Sequence, residues 1–137
     1  MDKELDQHAA LVYTMVLVAA SEGRMSDREL GVMSRFVRHL PVFANFDPDR
    51  IVEVGIDCAE LLTRDDGLDV AFDRIARALT PPLRETAYAL ACDVAAADGR
   101  PAEAELQMLE MIRHRLHLDR LVASAIERAA QARHRTL

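Results

Sequence analysis

The stretch AASEGR at residues 19–24 recurs almost unchanged as AAADGR at residues 95–100. Each copy ends an apolar segment, and each is followed by the dipeptide Glu-Leu, at residues 29–30 and 105–106. Glycine often follows the last turn of a helix, because it adopts the left-handed backbone conformation without strain. The two stretches therefore predict two helical hairpins of the same kind, each with an acidic turn between its helices.

The composition favours helices in the rest of the chain as well. Of the 137 residues, 50% are hydrophobic and 29% are charged, as in ordinary soluble globular domains, whereas only 4% are aromatic. No segment of useful length shows the alternation typical of strands. We expect an all-α fold in which residues 1–137 form a single-domain bundle of about seven helices. The repeat units, at about 5–40 and 83–118, are expected to be related by an internal pseudo-twofold axis.

Local signals place the helix boundaries. Ser26 and Glu29 have the spacing of a capping box, and Asp47-Pro48, Thr80 and Asp119 are typical of residues that begin helices. The first helix is apolar nearly all round and should be central, and the alanine-rich fifth should pack very closely against its neighbours. The predicted helices cover about 3–22, 27–40, 48–63, 68–79, 81–97, 101–116 and 120–133.

The charge and the cysteines exclude some classes of protein. The net charge of −6 argues against a generic nucleic-acid binder. The basic residues at 128 and 133–135 are typical of a solvated helix face. Cys58 and Cys92 lack the spacing of a metal or disulfide motif, which favours buried free thiols in a reducing compartment. With no secretory signal, and with an apolar run at 9–20 too short to span a bilayer, we expect a cytoplasmic protein without a transmembrane segment.

Motifs of the common enzyme classes are absent. The chain contains no GxSxG, HExxH, Walker A or GxGxxG sequence. Its few serines have no His–Asp partners that the sequence reveals. We therefore expect a protein that is not an enzyme, with no cofactor other than a divalent cation.

The repeated turns carry the chemistry that suggests a cation. In each, an acid, a glycine and a glutamate six residues later match positions 5, 6 and 12 of a calcium-binding EF-hand loop. Positions 1 and 3 would be valine and alanine, which cannot ligate, so neither turn is an EF-hand. Only a site pooled from both turns approaches the number of oxygens that Ca²⁺ or Mg²⁺ requires. The candidate metal ligands are Glu22, Glu29, Asp98 and Glu105.

Ordinary helix capping offers an alternative interpretation of the same residues. A capping box explains Glu29, and acidic residues in the first turn of a helix are favoured by its dipole. Glu22 and Asp98 differ, since each follows the C-terminal end of an apolar helix, where a negative charge is unfavourable. The following arginine, the next helix N-terminus or a cation would offset that charge. Asp93, one turn earlier, would either add an oxygen to the site or form a hydrogen bond at the edge of the core.

The repeated A-x-[DE]-G-R unit with its trailing Glu-Leu, together with LTPPLRE at 79–85, resembles the TerB-like tellurite-resistance family. The resemblance covers about residues 11–118. It implies a compact bundle of about seven helices, a clustered acidic surface that binds a divalent metal, and a role in tellurite or chemical-stress response. It also implies protein partners and a location at the inner membrane face. This chain has Glu22 where the family more usually has aspartate, and Pro101-Ala102 lacks the hydroxyl cap found at Ser26.

Taken together, the sequence predicts a non-enzymatic, TerB-like module that binds Ca²⁺ or Mg²⁺ through the paired acidic turns and engages a protein partner. The alternative is a purely structural or protein-interaction module without a metal site. The two differ in whether a divalent cation stabilises the fold.

Overall fold

Helix α1 (Gln7–Ala19) is buried on every side from Ala9 onwards, as its nearly continuous apolar sequence predicts. In the computed structural model, which describes residues 4–137, it packs most extensively against α5 (Pro81–Ala95). The alanines of α5 allow the two backbones to approach closely, because their side chains add little bulk. The core of the fold therefore lies along this pair of helices.

Five further helices surround the central pair. Helices α3 (Arg50–Leu62) and α4 (Gly67–Ala78) cover α1, α7 (Arg120–Arg133) covers α5, and α6 (Glu103–Arg115) contacts both central helices. Within residues 4–137 the structure contains these seven α-helices and no strand, which confirms the all-α class. The pseudo-twofold relation between the hairpins stays a prediction. The remaining elements are α2 (Asp27–His39) and a short 3₁₀ turn at Pro41–Phe43.

Several helix boundaries differ from the predicted ones. Helix α1 begins at Gln7, with Asp6 as its N-cap, and the predicted start at residue 3 lies outside the described residues. The prediction that Asp47-Pro48 opens the third helix is wrong. The Asp47 carboxylate accepts a 3.0 Å hydrogen bond from the Asp49 amide and forms a separate turn, so α3 begins three residues later than Asp47.

Of the predicted helix caps at Asp119 and Thr80, the structure confirms only the one at Asp119. Asp119 accepts a 3.2 Å hydrogen bond from the Val122 amide and caps α7 as expected. The Thr80 side chain makes no cap hydrogen bond. Pro82, at the second position of α5, has no amide hydrogen to donate, and the Leu83 amide does not bond to the Thr80 side chain either. Helix α6 begins at Glu103 rather than at Pro101, with Ala102 in the N-cap position.

Arg84, from the LTPPLRE segment, joins the ends of two other helices. Its guanidinium donates to the carbonyl oxygens of Ala76 at 2.6 Å and Leu79 at 3.1 Å, where α4 ends. A third, longer hydrogen bond of 3.4 Å reaches the carbonyl of Leu116, just past α6. A planar group with several donors can satisfy helix-terminal carbonyls that have no partner within the helix. Arg84 thereby fixes the start of α5 against α4 and α6.

Candidate functional site

The two acidic turns have the same backbone conformation. Gly23 and Gly99 adopt φ angles of 90° and 100°, which side chains other than glycine rarely tolerate. Their amides donate to the carbonyl oxygens of Ala20 and Ala96 at 2.8 and 3.0 Å. Each glycine thus ends one helix and sends the chain back towards the next, as the repeat predicts.

The capping box in the first turn is confirmed. The Ser26 hydroxyl accepts a 3.1 Å hydrogen bond from the Glu29 amide, and the Glu29 carboxylate accepts a 2.8 Å bond from the Ser26 amide. The second turn has only half of this arrangement. Glu105 accepts a 3.1 Å bond from the Ala102 amide, and alanine has no hydroxyl to return it. Both glutamates therefore point back to the start of their own helix.

The fold brings the two turns together. The Ser26 hydroxyl of the first turn donates a 2.7 Å hydrogen bond to Asp98 of the second. The Glu29 carboxyl group is close enough to Glu105 to raise the pKa of Glu105. Glu22 is near enough for its charge to act on Glu105. The four predicted ligands thus share one region of the molecule.

Glu29 and Glu105 form a buried pair of like charges. Only 4% of Glu29 and 6% of Glu105 is exposed to solvent. Burial, the hydrogen bond with Glu29 and the negative charges of Glu29 and Glu22 raise the pKa of Glu105 to about 7, although the Ala102 amide acts in the opposite direction. Near neutral pH Glu105 is therefore poised to hold a proton or, together with Glu29, another positive charge.

Glu22 and Asp98 lie at the rim of this buried pair and are exposed. The negative charge of Asp98 was predicted to be unfavourable at the end of α5. Ser26, at the N-terminus of α2, stabilises this charge by donating a hydrogen bond to the Asp98 carboxylate. No group of three or more His, Cys, Asp or Glu side chains within residues 4–137 is arranged to hold a metal ion. Coordination by all four carboxylates would therefore require the rim side chains to turn inward.

Asp93 forms the hydrogen bonds at the edge of the core that were one of its two predicted roles. Its Oδ1 atom accepts from the Arg133 guanidinium at 2.8 Å and lies 3.1 Å from His134 Nε2. These contacts fasten the end of α7 to α5. Arg133 is exposed, as predicted for a solvated face, and also pairs with Asp93, whereas His134 is partly buried against Asp93.

Ser26 is the residue whose wider role the sequence did not reveal. Its capping function follows from its spacing to Glu29, but its bond to Asp98 joins residues far apart in the chain. The only available signal was the difference between the two repeats, since the hydroxyl at Ser26 is missing at Ala102. Cys58 and Cys92 are buried free thiols, as predicted.

These features define an all-helical module built around two acidic helical turns. The family model described as tellurite resistance protein TerB matches residues 7–132, nearly the whole chain. The chain therefore belongs to the TerB family. No curated protein and no solved structure matches it. No helix within residues 4–137 is both long and apolar enough to cross a membrane.

Proposed function

We propose that this TerB-family module binds a divalent cation, Ca²⁺ or Mg²⁺, through its two acidic turns. The proposed ligands are Glu22, Glu29, Asp98 and Glu105. We further propose that the chain acts without enzymatic activity, in the cytoplasm, and that it engages a protein partner in the response to tellurite or related chemical stress.

The buried Glu29–Glu105 pair is the observation that carries the cation proposal. Two neighbouring carboxylates that are shielded from water repel each other, so below about pH 7 Glu105 holds a proton unless a cation is present. Carboxylate oxygens are the ligands that Ca²⁺ and Mg²⁺ prefer. A cation between the glutamates would replace the proton and remove the repulsion.

The rim residues supply the further oxygens that such an ion requires. Glu22 and Asp98 are exposed, so their side chains are able to change rotamer without disturbing the core. Asp98 would exchange its hydrogen bond from Ser26 for a metal–oxygen bond. Ca²⁺ binds oxygens at about 2.3–2.6 Å in flexible geometry, whereas Mg²⁺ demands a near-ideal octahedron. We therefore expect Ca²⁺ to bind more tightly than Mg²⁺ at this site.

The surface beside the pair supports the partner proposal. Leu30 and Leu106, which follow the two buried glutamates, are 44% and 47% exposed. Each therefore places a partly exposed apolar side chain next to the acidic turns. A protein that docks here would contact both the leucines and the cation site.

The test is thermal unfolding of the full chain with and without divalent cation. Millimolar Ca²⁺ should raise the melting temperature, and the double variant Glu29→Gln with Glu105→Gln should abolish the rise. Glu103→Gln, which removes an exposed acid from the same helical turn as Glu105, is the matched control and should leave the rise intact. A melting temperature that does not respond to Ca²⁺ or Mg²⁺ would refute the cation proposal.

A purely structural role for the turns is the second candidate, favoured by the Ser26–Asp98 hydrogen bond. That bond links the turns without any cation, and the amides of Ser26 and Ala102 already occupy one oxygen of each glutamate. On this view the double variant changes stability modestly and by the same amount with or without cation. A large loss of Ca²⁺ affinity in that variant would exclude it.

A further inference from the structure

Three large hydrophobic side chains are open to solvent on two helices that lie outside the acidic turns. Val52 and Ile56 of α3 are 65% and 53% exposed, and Leu121 of α7 is 77% exposed. No other large hydrophobic residue in a helix of the described chain, residues 4–137, is as exposed. Since the fold itself leaves these side chains uncovered, the outer faces of α3 and α7 are candidate contact surfaces.

The outer face of α3 is apolar along one side and acidic along the other. Val52, Ile56 and Ala59 recur at helical spacing, and all three are exposed. The exposed Glu53 and Glu60 lie beside this apolar stripe. Neither glutamate forms an ion pair with another residue of the described chain. The face therefore attracts a surface that is both apolar and basic.

The arginines near α3 do not neutralise this acidic edge. Arg50 pairs with Asp6 at 3.1 Å, and Arg64 pairs with Asp66 at 3.0 Å. The exposed Asp49, which precedes the helix, adds a further negative charge. The positive charges closest in sequence are thus already paired, and the glutamates keep a net negative field along the apolar stripe.

The outer face of α7 has the opposite charge. Leu121 is followed at helical spacing by exposed alanines, and Arg128 and Arg135 lie along one side of them. Neither arginine forms an ion pair with any residue that the structure describes. Glu127, the only acid in α7, is turned inward and accepts a 2.6 Å hydrogen bond from Tyr88. The outer face of α7 is therefore apolar and basic.

Acidic residues of other elements approach only one end of the α7 face. Arg135 borders the same cavity as the Gly99 turn, so Asp98 and Glu103 are in its neighbourhood. Arg128 lies about two helical turns earlier, and the helix neighbours three and four residues away from it are uncharged. Arg128 consequently carries most of the positive charge that this face offers to a partner.

The two faces point away from opposite sides of the molecule and match in spacing. Helix α3 packs against α1, whereas α7 packs against α5, so one chain cannot join its own two faces. Glu53 and Glu60 are seven residues apart, as are Arg128 and Arg135. Seven residues span two helical turns, about 10.5 Å. Two copies with α3 and α7 aligned in parallel would therefore place each arginine opposite a glutamate.

We propose that the protein associates with a second copy of itself, through the outer face of α3 in one copy and the outer face of α7 in the other. The exposed apolar side chains of the two faces leave water together, and the glutamates of α3 pair with the arginines of α7. Because the two faces differ, each pair of copies keeps one unused face of each kind, and association continues into a chain or closes into a ring. The contact does not involve the cation site.

The association is expected to be weak. A contact between helices of 13 and 14 residues is smaller than a standard protein interface, and the net charge of −6 on each copy opposes their approach. We expect a Kd on the order of 0.1 mM, which measurements at high protein concentration resolve.

Sedimentation velocity of the full chain in EDTA, from about 10 μM to about 1 mM protein, tests the proposal. The average mass of the wild type should rise with concentration. The double variant Glu53→Arg with Glu60→Arg should weaken association at least about tenfold, and so should Arg128→Glu with Arg135→Glu, because like charges then face each other. An equimolar mixture of the two double variants should associate again, since each supplies the charge that the other has lost.

Glu103→Arg with Glu110→Arg is the matched control, because it reverses two exposed glutamates that are also seven residues apart, on α6. It should leave association unchanged. Ile56→Ser should weaken association about tenfold without any change of charge, since it removes a buried apolar contact. Circular dichroism should show every variant folded.

Four results would overturn the proposal. The first is a wild type that stays monomeric throughout, which would leave both faces to other proteins or to solvent. The second is a control variant that associates as weakly as the two double variants. The third is a mixture of the double variants that fails to associate. The fourth is weakening by reversal of α3 alone, which would indicate a symmetric contact between two copies of α3.

Discussion

The hydroxyl of Ser26 donates a 2.7 Å hydrogen bond to Oδ2 of Asp98, a residue 72 positions further along the chain. The bond places the aspartate that follows α5 at the N-terminus of α2, where the helix dipole favours a negative charge. Asp98 is unfavourable at the C-terminal end of α5 but is thus stabilised by the N-cap residue of α2. The two acidic turns are therefore joined by a hydrogen bond that requires no ligand.

We predict that Ser26→Ala lowers the free energy of unfolding by about 1–2 kcal/mol, because it removes both the helix cap and the bond to Asp98. Urea titration followed by circular dichroism measures the loss. A double-mutant cycle with Asp98→Ala separates the two effects and should show a coupling of about 0.5–1.5 kcal/mol. Ser124→Ala, at an exposed site in α7, should change stability very little. A coupling near zero would mean that the Ser26–Asp98 bond contributes nothing.

Stability should fall as the pH rises through neutrality when no divalent cation is present. The pKa of Glu105 is raised from 4.5 to about 7 in the folded protein. The stability that the protonated Glu105 contributes to the folded state is therefore complete below pH 4.5 and is lost as the pH rises through about 7. The loss is on the order of 2–3 kcal/mol. Urea titrations in EDTA between pH 5 and pH 8 measure it.

Glu105→Gln should remove this pH dependence, because glutamine preserves the shape of the side chain without its charge. Glu103→Gln should preserve the dependence, since Glu103 is exposed on the same helix. Saturating Ca²⁺ should reverse the trend if the proposed site exists, because the cation favours the fully ionised pair. If the free energy of unfolding depended equally on pH in the wild type and in Glu105→Gln, Glu105 would not be the group that causes the dependence.

Arg84→Met should destabilise the fold by about 2–3 kcal/mol, because it leaves the carbonyls of Ala76 and Leu79 without their charged donor. Arg84→Lys should lose a smaller amount, since an ammonium keeps the charge but not the planar arrangement of donors. Both are measured by urea titration. Glu85→Gln, at the exposed neighbouring position, should stay within about 0.5 kcal/mol of wild type. Equal stability of the Met variant and wild type would show that the hydrogen bonds of Arg84 do not stabilise the fold.

Two glycines should respond in opposite directions to alanine. A Cβ atom at Gly67 would collide with the backbone carbonyl of Leu61, so Gly67→Ala should cost at least about 2 kcal/mol. Gly31 lies within α2 with open space around it, so Gly31→Ala should stabilise the protein by about 0.5–1 kcal/mol. Thermal unfolding of both variants in one buffer tests the pair. A stable Gly67→Ala variant would show that α3 and α4 are able to separate without cost.

Features that depend on neighbouring residues could be predicted from the sequence, whereas features that depend on distant contacts could not. The Gly23 and Gly99 turns and the Ser26 capping box follow from local backbone preferences and spacing, and all are present. Asp47-Pro48 misled the prediction because one short segment satisfies the rules for a turn and for a helix start equally well. The Ser26–Asp98 bond arises only when separate helices pack, so no local rule reveals it.

Because Ala102 has no hydroxyl, Glu105 is held less firmly than Glu29. Glu29 is anchored by a reciprocal pair of hydrogen bonds, whereas Glu105 is held by one bond of 3.1 Å. When the pair gains or loses a positive charge, the weaker anchor should yield first. Helix α6, which carries Glu105, would then move, whereas α2, which carries Glu29, would keep its position.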